Sequence, residues 1–286
     1  MTTTTYLVFG DLHGRVLPAF RLALAWQREH GERLAGLLQV GDLGYFPDLT
    51  RLDKATRRHA DKDPLELGVQ LVVQPSREAD AVFGEADLPE ALWFTAGNHE
   101  DHAALAEMAH GPGCSPDDFP VDYYRRVRCL RDGRVAVLPG GLRVGALWGI
   151  DDKAPKARRS PGPRGRIRQR SATALCGEGF DVLLTHESPR DAMLLDSGSD
   201  AISVVVALAR PAFAFFGHYH GHGRMDQCDF GPTRPFHLAG LELRGPGKTA
   251  EDRSVGVLRW DGREGTFEYL APAWLRTFSR HNWAHR

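Results

Sequence analysis

Five short apolar runs, each closing on a polar turn, constrain this chain more than any other feature. Tyr6-Leu7-Val8-Phe9 closes on Gly10-Asp11-Leu12-His13-Gly14, and Leu37-Leu38-Gln39-Val40 precedes Gly41-Asp42. Leu92-Trp93-Phe94-Thr95 precedes Gly97-Asn98-His99-Glu100. Val182-Leu183-Leu184-Thr185 precedes His186, and Phe213-Ala214-Phe215-Phe216 precedes Gly217-His218-Tyr219-His220. Short apolar runs bounded by turn residues read as buried strands. In open α/β sheets, ligands collect in the crevice at the carboxyl ends of the strands. Five strand ends that carry Asp, Asn and His are therefore expected to converge on one spot, and that spot reads as a metal site.

The segments between the runs set the fold class. Val16, Leu17, Phe20, Leu24 and Ala25 have helical spacing, Gly31 stops that helix, and Leu34 to Val40 is the next strand. A strand–helix–strand passage favours parallel neighbours. Arg51 to His59 reads as an exposed helix, and Asp101 to His110 as another with Asp101 at its positive start. Close-set runs at 127–130, 134–138 and 142–148 are separated by Asp132-Gly133 and Gly140-Gly141, which is hairpin chemistry and predicts an antiparallel portion. A final antiparallel group includes 255–260 and 266–270. The expected architecture is α/β: a four-layer α/β/β/α double sandwich of two mixed sheets flanked by helices, in one domain over residues 1–286.

Composition narrows the function. The net charge of −1 excludes a bulk polyanion binder, so any nucleic-acid contact must be local. The polar start leads straight into the first strand, and the apolar stretch 201–216 is broken by Arg210-Pro211, so a soluble cytoplasmic protein with no membrane partner is expected. Cys114, Cys129, Cys176 and Cys228 show no CxxC spacing and read as free thiols. Residues 153–170 hold eight Lys/Arg, no acidic residue, three prolines and two glycines. That stretch reads as a surface loop, either a solvated charge run or a clamp for a polyanionic substrate. Arg158, Arg159, Arg164, Arg166, Arg168 and, further on, Arg190 are its candidate substrate contacts.

The candidate ligands are Asp11, His13, Asp42, Asn98, His186, His218 and His220. All are oxygen or nitrogen donors, which argues against a structural zinc site and for a hard or borderline catalytic ion. Seven donors exceed what one ion with open positions needs. Two divalent ions about 3.5–4 Å apart, sharing one carboxylate, use them naturally, with Asp42 as the shared group. Mn²⁺ is the expected metal, with Fe, Zn²⁺ or Ni²⁺ as alternatives.

Gly10-Asp11-Leu12-His13-Gly14, Gly41-Asp42, Gly97-Asn98-His99-Glu100, His186 and Gly217-His218-Tyr219-His220 together resemble the signature of the calcineurin-like metallophosphoesterase superfamily, in that family's order. The resemblance implies the double-sandwich fold. It also implies that Asp11, His13, Asp42 and His220 hold one ion, and Asp42, Asn98, His186 and His218 the other. Phosphoester hydrolysis would then proceed by in-line attack of a metal-bridging hydroxide. His99 stands next to the ligand Asn98 without sharing its direction and is the expected general acid; Glu100 is its candidate orienting partner.

The substrate is less constrained. The protein Ser/Thr phosphatase branch has an Asp-Arg-Gly following its second aspartate, where this chain has Leu43-Gly44-Tyr45-Phe46. A partial likeness to the RNA lariat debranching enzymes lies in 141–150, the basic stretch and Thr185-His186-Glu187-Ser188-Pro189-Arg190. These features favour a phosphodiesterase acting on a nucleotide or nucleic acid. The alternatives are a phosphomonoesterase of protein-phosphatase type and a non-catalytic binding platform, which would be expected to have lost ligands. No obligate protein partner is indicated.

Overall fold

Tyr6 and Val8 of the first strand face one core and Leu7 and Phe9 face another, and all four are fully buried. A strand covered on both faces reads as a continuous apolar run, which is why the five runs show no polar alternation. The computed structural model describes residues 3–151, 165–219, 225–244 and 246–285.

Among the described residues the strands are β1 (Thr4–Phe9), β2 (Gly36–Gln39), β3 (Leu92–Phe94), β4 (Asp118–Pro120), β5 (Val127–Leu130) and β6 (Arg134–Val137), followed by β7 (Arg143–Leu147), β8 (Val182–Thr185), β9 (Phe213–Phe216), β10 (Arg234–His237), β11 (Val255–Trp260) and β12 (Gly265–Tyr269). They form a seven-stranded sheet in the order β12-β11-β1-β2-β3-β5-β4 and a five-stranded sheet in the order β10-β9-β8-β7-β6. Both sheets are mixed. β1, β2, β3 and β5 run parallel and are flanked by β11 and β4, which pair antiparallel to β1 and β5, with β12 antiparallel to β11 at the edge, while β7 to β10 run parallel with β6 antiparallel.

The helices are α1 (Val16–His30), α2 (Lys54–Ala60), α3 (Gln70–Val73), α4 (Arg77–Phe83), α5 (His102–Met108), α6 (Gln169–Cys176), α7 (Asp200–Ala209) and α8 (Pro272–Leu275). The inter-sheet core joins Tyr6, Val8, Leu38 and Trp93 to Val144, Val182, Leu184, Phe213 and Phe215. On the outer face of the larger sheet, Leu7, Phe9 and Leu37 pack with Phe20 and Trp26 of α1. On the outer face of the smaller sheet, Leu183 and Ala214 pack with Leu175 of α6 and Ile202, Val205 and Val206 of α7. These layers are the expected double sandwich. No helix among the described residues is long and apolar enough to cross a membrane, and the four cysteines are free.

One local expectation changes. β5 and β6 do not form a hairpin across Asp132-Gly133; they belong to different sheets. Gly133, at φ 70°, donates to Ala146 O, while the Asp132 carboxylate accepts from Trp148 N, so this turn carries the chain from one sheet to the other. A tight turn has the same residue chemistry whether it folds a strand back or sends it across the core. The Gly140-Gly141 turn does close the antiparallel pair β6–β7.

Candidate metal centre

The register sets the site. Phe9 lies beside Gln39, and Gln39 beside Phe94, so β1, β2 and β3 end level with one another. In the other sheet Leu184 lies beside Phe215, which levels the ends of β8 and β9. The turns after these five ends bring Asp11, His13, Asp42, Asn98, His186 and His218 together.

Ligand-type atoms of Asp42, His186 and His218 lie within 4.8 Å of one another, as do those of Asp11, His13 and Asp42. Asp42 stands in both groups. Its Oδ2 is 3.1 Å from His186 Nε2 and 3.9 Å from His13 Nε2, and its Oδ1 accepts from the backbone N–H groups of Asn98 and His99, each at 2.8 Å. One oxygen is thus held by the backbone while the other faces the histidines. His218 Nδ1 is 3.2 Å from His186 Nε2, and His218 N donates to Asp11 Oδ1 at 3.3 Å. His220 and the arginines 158, 159 and 164 lie outside the described residues.

The backbone is bent to make this convergence. His13, Asp42 and His218 have φ of 42°, 53° and 68°. Left-handed non-glycine residues cost about 1–2 kcal/mol each and cluster where function requires them. Gly97 and Gly217 serve differently, as empty space: a Cβ on Gly97 would lie 2.2 Å from Asp42 Oδ1, and one on Gly217 would lie 2.2 Å from Asp11 Oδ1.

Electrostatics supports the metal reading. Burial pushes the Asp11 carboxyl up to about 7, the Asp42 charge adding to it although His186 opposes. Burial works on Asp42 too, yet the charges and hydrogen bond of its histidine neighbours hold it well below the usual range. His186 is raised to about 10 despite its burial because Asp42 and Asp11 face it. A buried imidazole thus takes the proton of a carboxylate cluster, a place where a cation would substitute for that proton. Asn98 Oδ1 is buried and has no hydrogen-bond partner among the described residues, which is costly for an amide carbonyl unless it accepts from or ligates something else. The donor set therefore fits hard or borderline divalent cations.

His99 sits at the cleft edge, its ring 5.5 Å from that of His13. The carboxylate bonded to its ring is that of Asp53 and not of the expected Glu100: Asp53 Oδ2 lies 2.7 Å from His99 Nδ1. Glu100 is buried, and its carboxyl is pushed up to about 8 by that burial and by the charge of Asp42, against the opposing pull of His186, His99 and the Leu43 N–H. Burial lowers the His99 pKa, but the bond to Asp53 and the charges of Asp42 and Asp53 outweigh it and hold the ring at about 9. Cations bound at Asp42 would oppose that charge and leave Asp53 as the group that keeps His99 protonated.

A cleft of about 250 Å³ opens here, lined by Asp11, His13, Asp42, His99 and His218 together with α2 and with Glu242 and Arg244. Asp53, Glu242 and Arg244 have no signature in the sequence: Asp53 falls inside the segment Arg51–His59 read as an exposed helix, and the structure shows it as the cap of α2, while Glu242 and Arg244 stand beside buried Leu241 and Leu243. Of the described candidates for substrate contact, Arg166, Arg168 and Arg190, none lines the cleft. Arg190 faces Asp191, Asp196 and Asp200 and lines a separate hollow with Arg210 and Phe230. Arg168 lies 3.9 Å from Asp132. Gly165 does adjoin the site, so close to Asn98 that a Cβ would lie 2.8 Å from Asn98 Cα.

No protein-family model matches the chain, and no curated protein matches it. Among solved structures it is similar to TT1561 of Thermus thermophilus, with a TM-score of 0.50 and 13% identity over 94% of this chain and 99% of that one. A second solved chain is similar with a TM-score of 0.53 and 14% identity, over 94% and 100% of the two chains. A conserved protein of Streptococcus pneumoniae described as a predicted phosphoesterase reaches a TM-score of only 0.36 at 11% identity, over 98% and 93%, and says nothing of the chemistry here. The likeness to the first two establishes a shared fold and leaves function to the residues of the site.

Proposed function

We propose that this protein is a metal-dependent hydrolase of phosphoesters, and that its substrate is a phosphodiester of a nucleotide or nucleic acid. The observation that carries the reading is Asp42 standing in two donor groups at once. The metallophosphoesterase signature falls on the same residues.

Asp11, His13 and Asp42, with His220, would hold one divalent ion, and Asp42, Asn98, His186 and His218 the other. Ions held there would supply a nucleophile at neutral pH and positive charge for the phosphoryl oxygens. The protein's own groups account for the rest. The backbone N–H groups of Asn98 and His99 fix the Asp42 carboxylate. Asp53 fixes the His99 ring through Nδ1, leaving Nε2 as the atom that donates a proton to the departing alkoxide. The diester reading draws on Gly165, whose close approach to Asn98 brings the end of the basic stretch 153–170 beside a candidate ligand.

The test is hydrolysis of p-nitrophenyl phosphate against bis(p-nitrophenyl) phosphate after chelation and Mn²⁺ add-back. Metal-restored turnover with preference for the bis-ester is expected. Preference for the monoester would replace the diesterase reading with a phosphatase one, and turnover unaffected by chelation would end the metal reading.

A further inference from the structure

We propose that Arg244 is the arginine that grips a phosphoryl oxygen of the bound substrate, held over the metal cleft by Glu66 and Glu242. The inference rests on the phosphoesterase reading of the cleft and assigns it a specificity-determining residue. Among the described residues that line the cleft, Arg244 is the one with a permanent positive charge.

The placement of Arg244 is built rather than incidental. Leu241 N donates to Asp11 O at 2.7 Å, which ties this segment to the first ligand turn. Leu241 and Leu243 are both buried, and Leu243 holds φ 52°, a conformation that leucine rarely adopts. Arg244 Nη2 donates to Glu66 Oε1 at 2.6 Å, and Nη1 pairs with Glu242 Oε2. Glu66 is also held by fully buried Arg15 at 3.0 Å. Glu242 Oε1 in turn lies 3.6 Å from His13 Nε2. The guanidinium is therefore fixed relative to a metal ligand, is a third exposed on its side chain, and keeps further N–H donors for an anion. A cation held in advance by buried carboxylates spends little side-chain entropy when the phosphoryl group arrives.

The experiment titrates inorganic phosphate into the Mn²⁺-loaded full chain by calorimetry, for wild type, R244Q, R244K and the double variant E242Q/R244Q. Mn²⁺ stoichiometry and thermal unfolding are measured alongside. R244Q is expected to weaken phosphate roughly 10- to 100-fold with Mn²⁺ stoichiometry unchanged, R244K to recover part of the loss, and the KM for the bis-ester to rise in parallel. The double variant removes the carboxylate that R244Q leaves uncompensated, and it is expected to stay weak because the contact itself is gone. Wild-type affinity in R244Q, restored affinity in E242Q/R244Q, or no phosphate binding by wild type would overturn the assignment. Failure of the phosphoesterase reading would look different: no turnover of either nitrophenyl ester, with phosphate affinity still dependent on Arg244.

Discussion

Asp53 and His99, forty-six positions apart, form one hydrogen-bonded pair that ties the start of α2 to the turn carrying Asn98. The two oxygens of Asp53 divide the work. Oδ1 accepts from Ala55 N and Thr56 N and caps α2, while Oδ2 lies 2.7 Å from His99 Nδ1.

That division allows the two roles to be separated by mutation. Asn caps helices about as well as Asp, so Asp53→Asn should leave α2 in place while removing the charge beside His99. We expect kcat for esters with poor leaving groups to fall about 10- to 100-fold, less than the 10²- to 10⁴-fold typical of losing a whole general acid. Nitrophenyl esters, whose leaving group needs little protonation, should be nearly unaffected. Asp53→Ala should add about 1 kcal/mol of destabilisation from the lost cap. Equal losses on both ester types in D53N would show that Asp53 does not act through proton donation.

Asp42 belongs to both donor groups. Asp42→Asn should therefore disturb both metal positions, whereas His186→Ala should spare the group formed by Asp11, His13 and Asp42. Metal analysis after Mn²⁺ loading and desalting is the check. D42N is expected to retain less metal than H186A and to lose the thermal stabilisation that bound metal gives wild type. Full metal retention in D42N would remove the shared-carboxylate assignment.

The parts of this molecule that could be read from sequence are those where neighbouring residues carry the information. The runs ending at Phe9, Gln39, Phe94, Thr185 and Phe216 are apolar because both faces of each strand are covered, and their turns carry the candidate ligands. Asp53 was out of reach because a capping aspartate looks the same whether or not its second oxygen finds a histidine. Arg244 was hidden for a related reason, since its meaning comes from Glu66 and Glu242 folding against it. Asp132-Gly133 misled because a crossing between two sheets and a hairpin ask for the same turn residues.

Asp118, which does not line the candidate cleft, gives a pH prediction. Burial pushes its carboxyl up, but hydrogen bonds from Arg128, Ser115 and Trp93 outweigh that and hold it below the usual range. Arg128 donates through Nε at 2.6 Å and Nη2 at 2.8 Å. A carboxyl with a depressed folded-state pKa contributes stability that is complete above its unfolded value of ~3.9 and is lost as pH falls through the folded value. Asp118→Asn should thus cost about 1–3 kcal/mol near neutral pH. The gap to wild type should narrow once the pH drops below ~4. Urea unfolding across the acid range measures it, and a gap independent of pH would show that the charge on Asp118 contributes nothing.

Gly217 offers a test of the site that leaves every candidate ligand in the sequence. An added Cβ would meet Asp11 Oδ1 at 2.2 Å and Val40 Cγ2 at 3.0 Å. The carboxylate is the end of a side chain and can turn aside, so the fold should survive with about 1–3 kcal/mol of overpacking cost. Once turned, Asp11 no longer completes the group with His13 and Asp42. Gly217→Ala is therefore expected to bind less Mn²⁺ than wild type and to lose at least about 10²-fold in turnover, since small displacements of positioning groups carry costs of that order. Metal content and far-ultraviolet circular dichroism melts, measured on the same preparation, decide it. A variant that keeps the full metal load and activity would mean that Asp11 does not need the space Gly217 leaves, and would remove Asp11 from the first donor group.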